Sequence, residues 1–445
     1  MKKNRNFIKT FAFLSLQAIC SATFAIEYAV SEIKISKSTD ESNVALFNSP
    51  ITTFEDRTYI SYVEKYGNRY RTVIKSIDKT NRIKSWVLEE NNLNDPYHAQ
   101  PSIGVDRDGY IHATYNMHSS PWQYSKSILP QNIEQWQFLG QNLDGPSDKL
   151  ASTRILGKGT AAIPGNRITY QYMANDRNGQ LYACFREATH NTKDVSYSDE
   201  TWSLGLVKYS EKTKTWERLG ISESPLATQA GQIALGCRIY FDTSNNLHLS
   251  WIWHVNYFNN GHSKPKIIAY ATSSDGGKSF KNINSKALNL PIGLNADNHV
   301  LDSDFYESYT RVGVGPAVVI LPSPDSKKRR SIVVKEGNQW SPPRPLPFGA
   351  VEILEVHSLN TNIIAISSGL RFHISTDQGK TWSHHDINIS NYKYQFWVDH
   401  LYSRHHRGIR ILAQENKTGK LSVFTINFPP TNYISRPGKP LIELN

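Results

Sequence analysis

The chain has 445 residues, 11% of them aromatic with 23 Tyr and 10 Trp, and a formal charge of +11 at pH 7. Gly and Pro are spread evenly and no long stretch keeps a helical period, which excludes helical bundles and points to many short strands and turns. Three cysteines are too few for a disulfide scaffold, and beyond the N-terminal segment no run reaches the roughly 18 apolar residues of a membrane span.

The N-terminus reads as an export signal. Lys2, Lys3, Arg5 and Lys9 form a basic region, Phe11 to Cys20 a short apolar one, and Thr23 to Ala25 a small-residue cleavage site. Residues 1–25 are therefore expected to be removed, leaving a single domain, 26–445, in a secreted or periplasmic protein. Loss of those four basic residues lowers the charge from +11 to +7. A basic exported protein suits an acidic partner. The one dense basic run, Lys327 to Arg330, reads as a solvated hairpin turn. The expected partner is thus an acidic polysaccharide rather than nucleic acid or a membrane, and the protein is expected to act as a monomer. Cys184 and Cys237 remain after cleavage; one bridge, two buried thiols and a thiolate metal ligand all stay open.

Taken in order, the chain is a series of hairpins. Ile26 to Ile35 reads as a strand. Pro50 to Phe54 and Thr58 to Val63 flank a turn at Glu55 to Arg57. The second unit is clearest: alternating residues from His98 to Val105, a turn at Asp106-Arg107-Asp108-Gly109, and a return through Tyr110 to His118. Counting outward pairs Val105 with Tyr110 and Ile103 with His112. His98 and His118 then meet at the edge away from the turn, while His112 falls mid-strand as packing or a satisfied polar group. The third unit repeats this around Asp176 to Gly179, with Asn175 facing Gln180, Tyr170 facing about Phe185 and Arg186 beside it. The fourth turns at Thr243 to Asn246, with Asp242 facing Leu247 and His254 at the far edge. Further units end near Trp340 and Trp382, and the last holds Ile409 to Leu412 and Leu421 to Ile426, which the N-terminal strand could complete. Self-similar units of about 40–70 residues, each of several short strands, indicate an all-β fold, a seven-bladed β-propeller. Ser273 to Phe280 and Ser375 to Trp382 both fit S-x-D-x-G-x-[ST]-[WF], the Asp-box turn found on the outer hairpins of such propellers.

Successive blades present the same edge to one face. His98, His118, Tyr170, Arg186 and His254 are therefore expected on one rim. This set has no evident carboxylate pair, which disfavours two-carboxylate glycoside hydrolysis. A permanent cation, imidazoles and a phenol instead suit β-elimination from a uronate. Arg186 would pair with the carboxylate as the C5 proton leaves. Tyr170, its ionised form favoured by nearby cations, or a histidine would act as base and as acid to the leaving O4.

His98-x-x-Pro101, Asp108-Gly109-Tyr110-x-His112, Asn116-Met117-His118, Thr169-Tyr170, Phe185-Arg186 and Leu247 to Trp253 resemble the BNR-repeat family that includes the ulvan lyases of polysaccharide lyase families 24 and 25, with family 25 the better match in its two spacings. The resemblance covers about Asp95 to Pro291 plus the Asp-boxes. It implies a propeller that cleaves ulvan, a sulfated, uronate-containing algal polymer, with Tyr170, His118 and His98 catalytic and Arg186 and His254 binding substrate. Two positions depart from the pattern: Gln171 follows Tyr170 where Pro is expected, and His254 stands where many relatives carry Arg. The resemblance also suggests a structural zinc or calcium ion, not required for catalysis, with Cys237 and His299 as candidate ligands. Two other readings remain. A sialidase-like hydrolase would need Arg154, Arg186, Arg238 and Arg311 to converge, and a carbohydrate-binding propeller would need no catalysis at all.

Overall fold

The computed structural model describes residues 29–36, 48–91, 100–120, 122–140, 167–188, 201–221, 224–255, 266–294, 299–303, 317–320, 331–337, 339–348, 350–354, 363–367, 371–386, 394–415 and 418–428. The signal segment, His98, Arg154, Arg311 and the Lys327 to Arg330 run lie outside the described residues.

After strand β1 (Ala29–Lys34) the chain forms successive antiparallel units of four strands. The first is β2 (Ile51–Phe54), β3 (Arg57–Tyr66), β4 (Arg69–Ile77) and β5 (Ile83–Asn91). The second is β6 (Ser102–Val105), β7 (Ile111–Thr114), β8 (Tyr124–Ser127) and β9 (Trp136–Phe138). The third, β10 (Thr169–Asn175), β11 (Leu181–Ala188), β12 (Trp202–Ser210) and β13 (Thr215–Arg218), is followed by β14 (Ile233–Phe241), β15 (Leu247–His254), β16 (Lys266–Ser273) and β17 (His299–Ser303). A single parallel bridge, Trp202 to Ile233, joins these two units into one eight-stranded sheet. The fifth unit is β18 (Ala317–Ile320), β19 (Ser331–Glu336), β20 (Gln339–Trp340) and β21 (Arg344–Pro345), and the sixth β22 (Ala350–Leu354), β23 (Ile363–Ser367), β24 (Arg371–Ser375) and β25 (Ser383–Asp386). The last combines β26 (Tyr394–Val398), β27 (Gly408–Glu415) and β28 (Leu421–Asn427) with β1, which pairs along β28 from Ala29 with Asn427 to Lys34 with Ser422. The N-terminal strand thus completes the last blade.

The cores lie between units rather than within them. Tyr59 and Ile74 of the first unit pack with Ile103 and Val105 of the second. Trp122 and Tyr124 of the second pack with Ala183 and Phe185 of the third. Leu204 and Leu206 pack with Trp251 and Trp253, and the series continues until Trp397 and Leu412 of the last unit meet Ile60 and Val73 of the first. Each sheet has two apolar faces and buries both against neighbours, which is how a propeller satisfies sheets that could not stand alone.

The inner hairpins share one turn. Asp106, Asp176 and Asp242 each accept through Oδ1 from the backbone N–H four residues on, Tyr110, Gln180 and Asn246, at 2.8, 2.9 and 2.8 Å. Gly109, Gly179 and Asn245 adopt positive φ one residue earlier. This is a three-residue loop, and it moves the ladder by one place from the two-residue count. Val105 pairs with Ile111, Asn175 with Leu181 and Phe241 with Leu247.

The mid-strand reading of His112 holds. It is fully buried, with Nε2 3.1 Å from Asp106 Oδ2 and Nδ1 2.7 Å from the Tyr124 hydroxyl. Two blades on, His248 repeats the arrangement with Asp242 and Tyr270 at 3.1 and 2.6 Å. In the outer turns, the Asp275 and Asp377 carboxylates accept from the Ser279 and Thr381 hydroxyls, both at 2.6 Å, and from the backbone N–H groups of the same two residues. Burial opposes ionisation of both carboxyls, but these hydrogen bonds prevail and hold them below the usual carboxylate range. At the turn-side end of the ring, helix α1 (His400–His405) is capped by Asp399, and buried Arg404 donates to the Asn175 carbonyl at 2.9 Å. Among the described residues no helix is long and apolar enough to cross a membrane.

Candidate active site

The site forms at the open ends of β10 and β11, opposite the turns. The ladder there slips between Thr169, which pairs with Arg186, and Tyr172, which pairs with Cys184. Tyr170 and Gln171 occupy the resulting bulge. Tyr170 sits at φ +57°, a left-handed conformation rare for an aromatic residue. Such strain costs about 1–3 kcal/mol and is held in place only by surrounding structure. Here that structure is an apolar cluster of Tyr170, Ala188, Trp202, Ile233 and Leu235. Tyr170 remains 8% exposed.

Arg186 is half-buried and lies against two rings. Its guanidinium carbon is 4.9 Å from the Tyr170 centroid and 4.2 Å from that of Trp202. Its Nη2 donates to Thr169 Oγ1 at 3.1 Å. The same hydroxyl accepts from the Ser119 backbone N–H at 2.8 Å. Thr169 therefore ties the segment carrying His118 to Arg186, with Tyr170 next in sequence. His118 itself is exposed on this rim. Arg186 thus stacks on Tyr170, and the Ser119–Thr169 bond ties the residue next to His118 to the same strand end.

His254 ends β15 on the same side, opposite Ile233, whose side chain belongs to the Tyr170 and Trp202 cluster. It is 6% exposed. Among the arginines a sialidase-like site would need, Arg238 does not join Arg186. It is buried deeper, over the Tyr172 ring at 4.5 Å, and donates to the Cys237 carbonyl at 3.0 Å.

The metal expectation for Cys237 and His299 is corrected. Cys237 is joined to Cys184 in a disulfide across the third and fourth blades, so no thiolate is available. His299 pairs with Ala269 on the outermost strand of its blade, whereas Cys237 lies on the innermost. Three inter-strand spacings, roughly 14 Å, separate the two strands. Among the described residues no group of three or more His, Cys, Asp or Glu could hold a metal ion.

Three participants were missed from sequence. Thr169 is a hydroxyl hub that strand alternation does not reveal. Trp202 comes from the next strand, and Arg167 precedes β10, with its guanidinium carbon 4.8 Å from the Trp202 centroid. Spacing from the turns reaches other rim positions but none of these three. With the turns aligned on Asp106, Asp176 and Asp242, His118, Ala188 and His254 fall at one position, and Asn116, Arg186 and Ile252 at another.

Residues 57–306, more than half of the chain, match the model of the BNR repeat-containing family. The chain belongs to that family. The match runs from β3 through the fourth blade and includes every described residue of the candidate site. No curated protein matches this BNR repeat-containing chain in sequence. Solved structures do match in fold. The polysaccharide lyase Uly1 superposes with a TM-score of 0.63 at 12% identity, over 91% of this chain and 100% of that one. A PL25 ulvan lyase bound to -[GlcA(1-4)Rha3S]- gives a TM-score of 0.57 at 14% identity, over 87% and 93%. At these identities the likeness shows the propeller fold of the BNR repeat-containing chain and leaves the chemistry to its own residues.

Proposed function

We propose that this protein is an exported polysaccharide lyase that cleaves a uronate-containing, sulfated polymer of the ulvan type by β-elimination. One observation carries the reading: a strained tyrosine, Tyr170, held against the Arg186 guanidinium at a strand end to which the Ser119–Thr169 bond ties the segment of His118. The fold it shares with a polysaccharide lyase and a PL25 ulvan lyase supports the substrate class.

Arg186 pairs with the uronate carboxylate and stabilises the charge that grows on it as the C5 proton leaves. Tyr170 or His118 takes that proton. The C4–O4 bond breaks, a C4–C5 double bond forms, and the leaving oxygen is protonated by the same pair. His254 adds a donor on the carboxylate side. The net positive charge draws in the polyanion, and this attraction weakens with salt. Export is supported by the signal-like N-terminus and by the Cys184–Cys237 bridge, which suits an oxidising compartment.

The test is ultraviolet absorbance of the unsaturated uronate while mature protein incubates with ulvan, beside a Tyr170→Phe control. Absorbance should rise with the wild type and stay flat with the variant. A flat wild-type trace with shortened polymer would replace elimination with hydrolysis. A flat trace with bound but intact polymer would make the protein a binding module.

A further inference from the structure

The chemistry above uses one guanidinium, yet the rim carries two on a single ring. Arg167 and Arg186 both lie against Trp202, their guanidinium carbons 4.8 and 4.2 Å from its centroid. Trp202 is 6% exposed, so the indole is a wall, and both arginines lie half-buried against it. Arg167 also adopts φ +47°, outside the range ordinary side chains prefer. Its backbone is pinned there by the next residue: the Ile168 N–H donates to the Ser120 carbonyl at 2.7 Å, in an isolated bridge between the second and third blades. That bridge adjoins the Ser119 to Thr169 bond that anchors the His118 segment. Arg167 is thus built into the same corner as the candidate catalytic groups.

Two guanidinium groups on one ring place two permanent cations at this corner. Stacking on the indole also restrains each guanidinium before ligand arrives, which reduces the entropy lost on binding. The planar fork of an arginine fits a tetrahedral oxyanion in bidentate fashion, as it fits phosphate. We infer that Arg167 is a specificity-determining residue that binds the sulfate ester on the sugar next to the uronate held by Arg186. This rests on the lyase reading for its substrate class, and it adds the group that distinguishes a sulfated polymer from an ordinary polyuronate. Carboxylate and sulfate then have separate cations, both held against Trp202.

Affinity electrophoresis in gels containing native ulvan or chemically desulfated ulvan tests this without requiring turnover. Desulfated ulvan keeps its carboxylates, so it separates sulfate recognition from uronate recognition. Wild type should bind the sulfated polymer more tightly, and Arg167→Met should lower that preference about tenfold or more, the worth of a charge-assisted contact. Arg167→Lys should restore part of the preference, because a point charge remains while the fork is lost. Equal loss on both polymers, or an unchanged preference in Arg167→Met, would overturn the inference. Equal wild-type binding to both polymers would also overturn it. If Arg167→Met failed to fold, shown by a lowered melting temperature, Arg167→Lys and Arg167→Gln would carry the same comparison. The unsaturated-uronate assay on the same proteins keeps the two ideas apart. Sulfate preference without elimination would sink the lyase and leave the Arg167 site standing; elimination without sulfate preference would do the reverse.

Discussion

The third and fourth blades contain the same backbone device filled in two ways. Aligned on the turn residues Asp176 and Asp242, the bulge between Thr169 and Tyr172 coincides with the one between Leu235 and Arg238. In the fourth blade the left-handed position is Gly236 at φ +67°, and in the third it is Tyr170 at φ +57°. Glycine adopts this conformation at little cost; tyrosine does not. If the bulge were only a way to bend the strand, glycine would serve both blades. Tyr170 instead sets its ring against a cation, and Arg186 stands where the fourth blade has the buried Ile252. Two blades of one ring thus separate scaffold from site.

Changes that make the third blade resemble the fourth test this difference most severely. Tyr170→Phe keeps the ring and the bulge but removes the hydroxyl. Turnover should fall by roughly a hundred- to ten-thousandfold, with the melting temperature unchanged. Equal turnover in the variant would remove the phenol from the mechanism. Arg186→Ile copies the fourth blade directly, and kcat/KM should drop by roughly a hundred- to a thousandfold. A rise in KM alone would reduce Arg186 to a binding group.

The remaining predictions concern stability. The Cys184–Cys237 bridge ties the two compared blades together and closes a loop of sequence separation 53. A Cys184→Ala, Cys237→Ala double variant should lose roughly 2–4 kcal/mol in denaturant unfolding. Gly236→Ala places a Cβ at positive φ and should cost about 1–2 kcal/mol without touching turnover. The smallest effect is on pH. Burial holds the His112 imidazole neutral, its pKa below the ordinary 6.5, despite the opposing pull of the Asp106 carboxylate. Unfolding releases it to bind a proton, so its contribution is complete above pH 6.5 and is lost as the pH falls below that value. Unfolding midpoints measured on both sides of 6.5 should show this decline, and His112→Gln should flatten it.

Local signals made much of the ring legible. Asp-x-x-Gly turns, alternating strands and two Asp-box segments marked the hairpins, and the closing role of the N-terminal strand followed from a last unit that lacked one. The turns misled by one place, because an Asp side chain that accepts from the residue four positions on favours a three-residue loop over a two-residue one. That slip leaves Arg186 and His254 near strand ends, since either register keeps them at the edge away from the turns. The metal pair failed for a different reason. Cys237 and His299 look adjacent in chemistry, but nothing local says that one is innermost, the other outermost, and that Cys184 faces the first.

By itself the sequence determined the all-β repeat and the positions of its turns, because these follow from strand alternation and turn chemistry within a few residues. Only the tertiary structure decided that Tyr170 would occupy a strained bulge and that Thr169 would bridge the His118 segment to Arg186. It also decided that Trp202 would carry two arginines. Those features come from contacts between blades, and a tyrosine in a strand gives no local sign of the backbone its neighbours will impose.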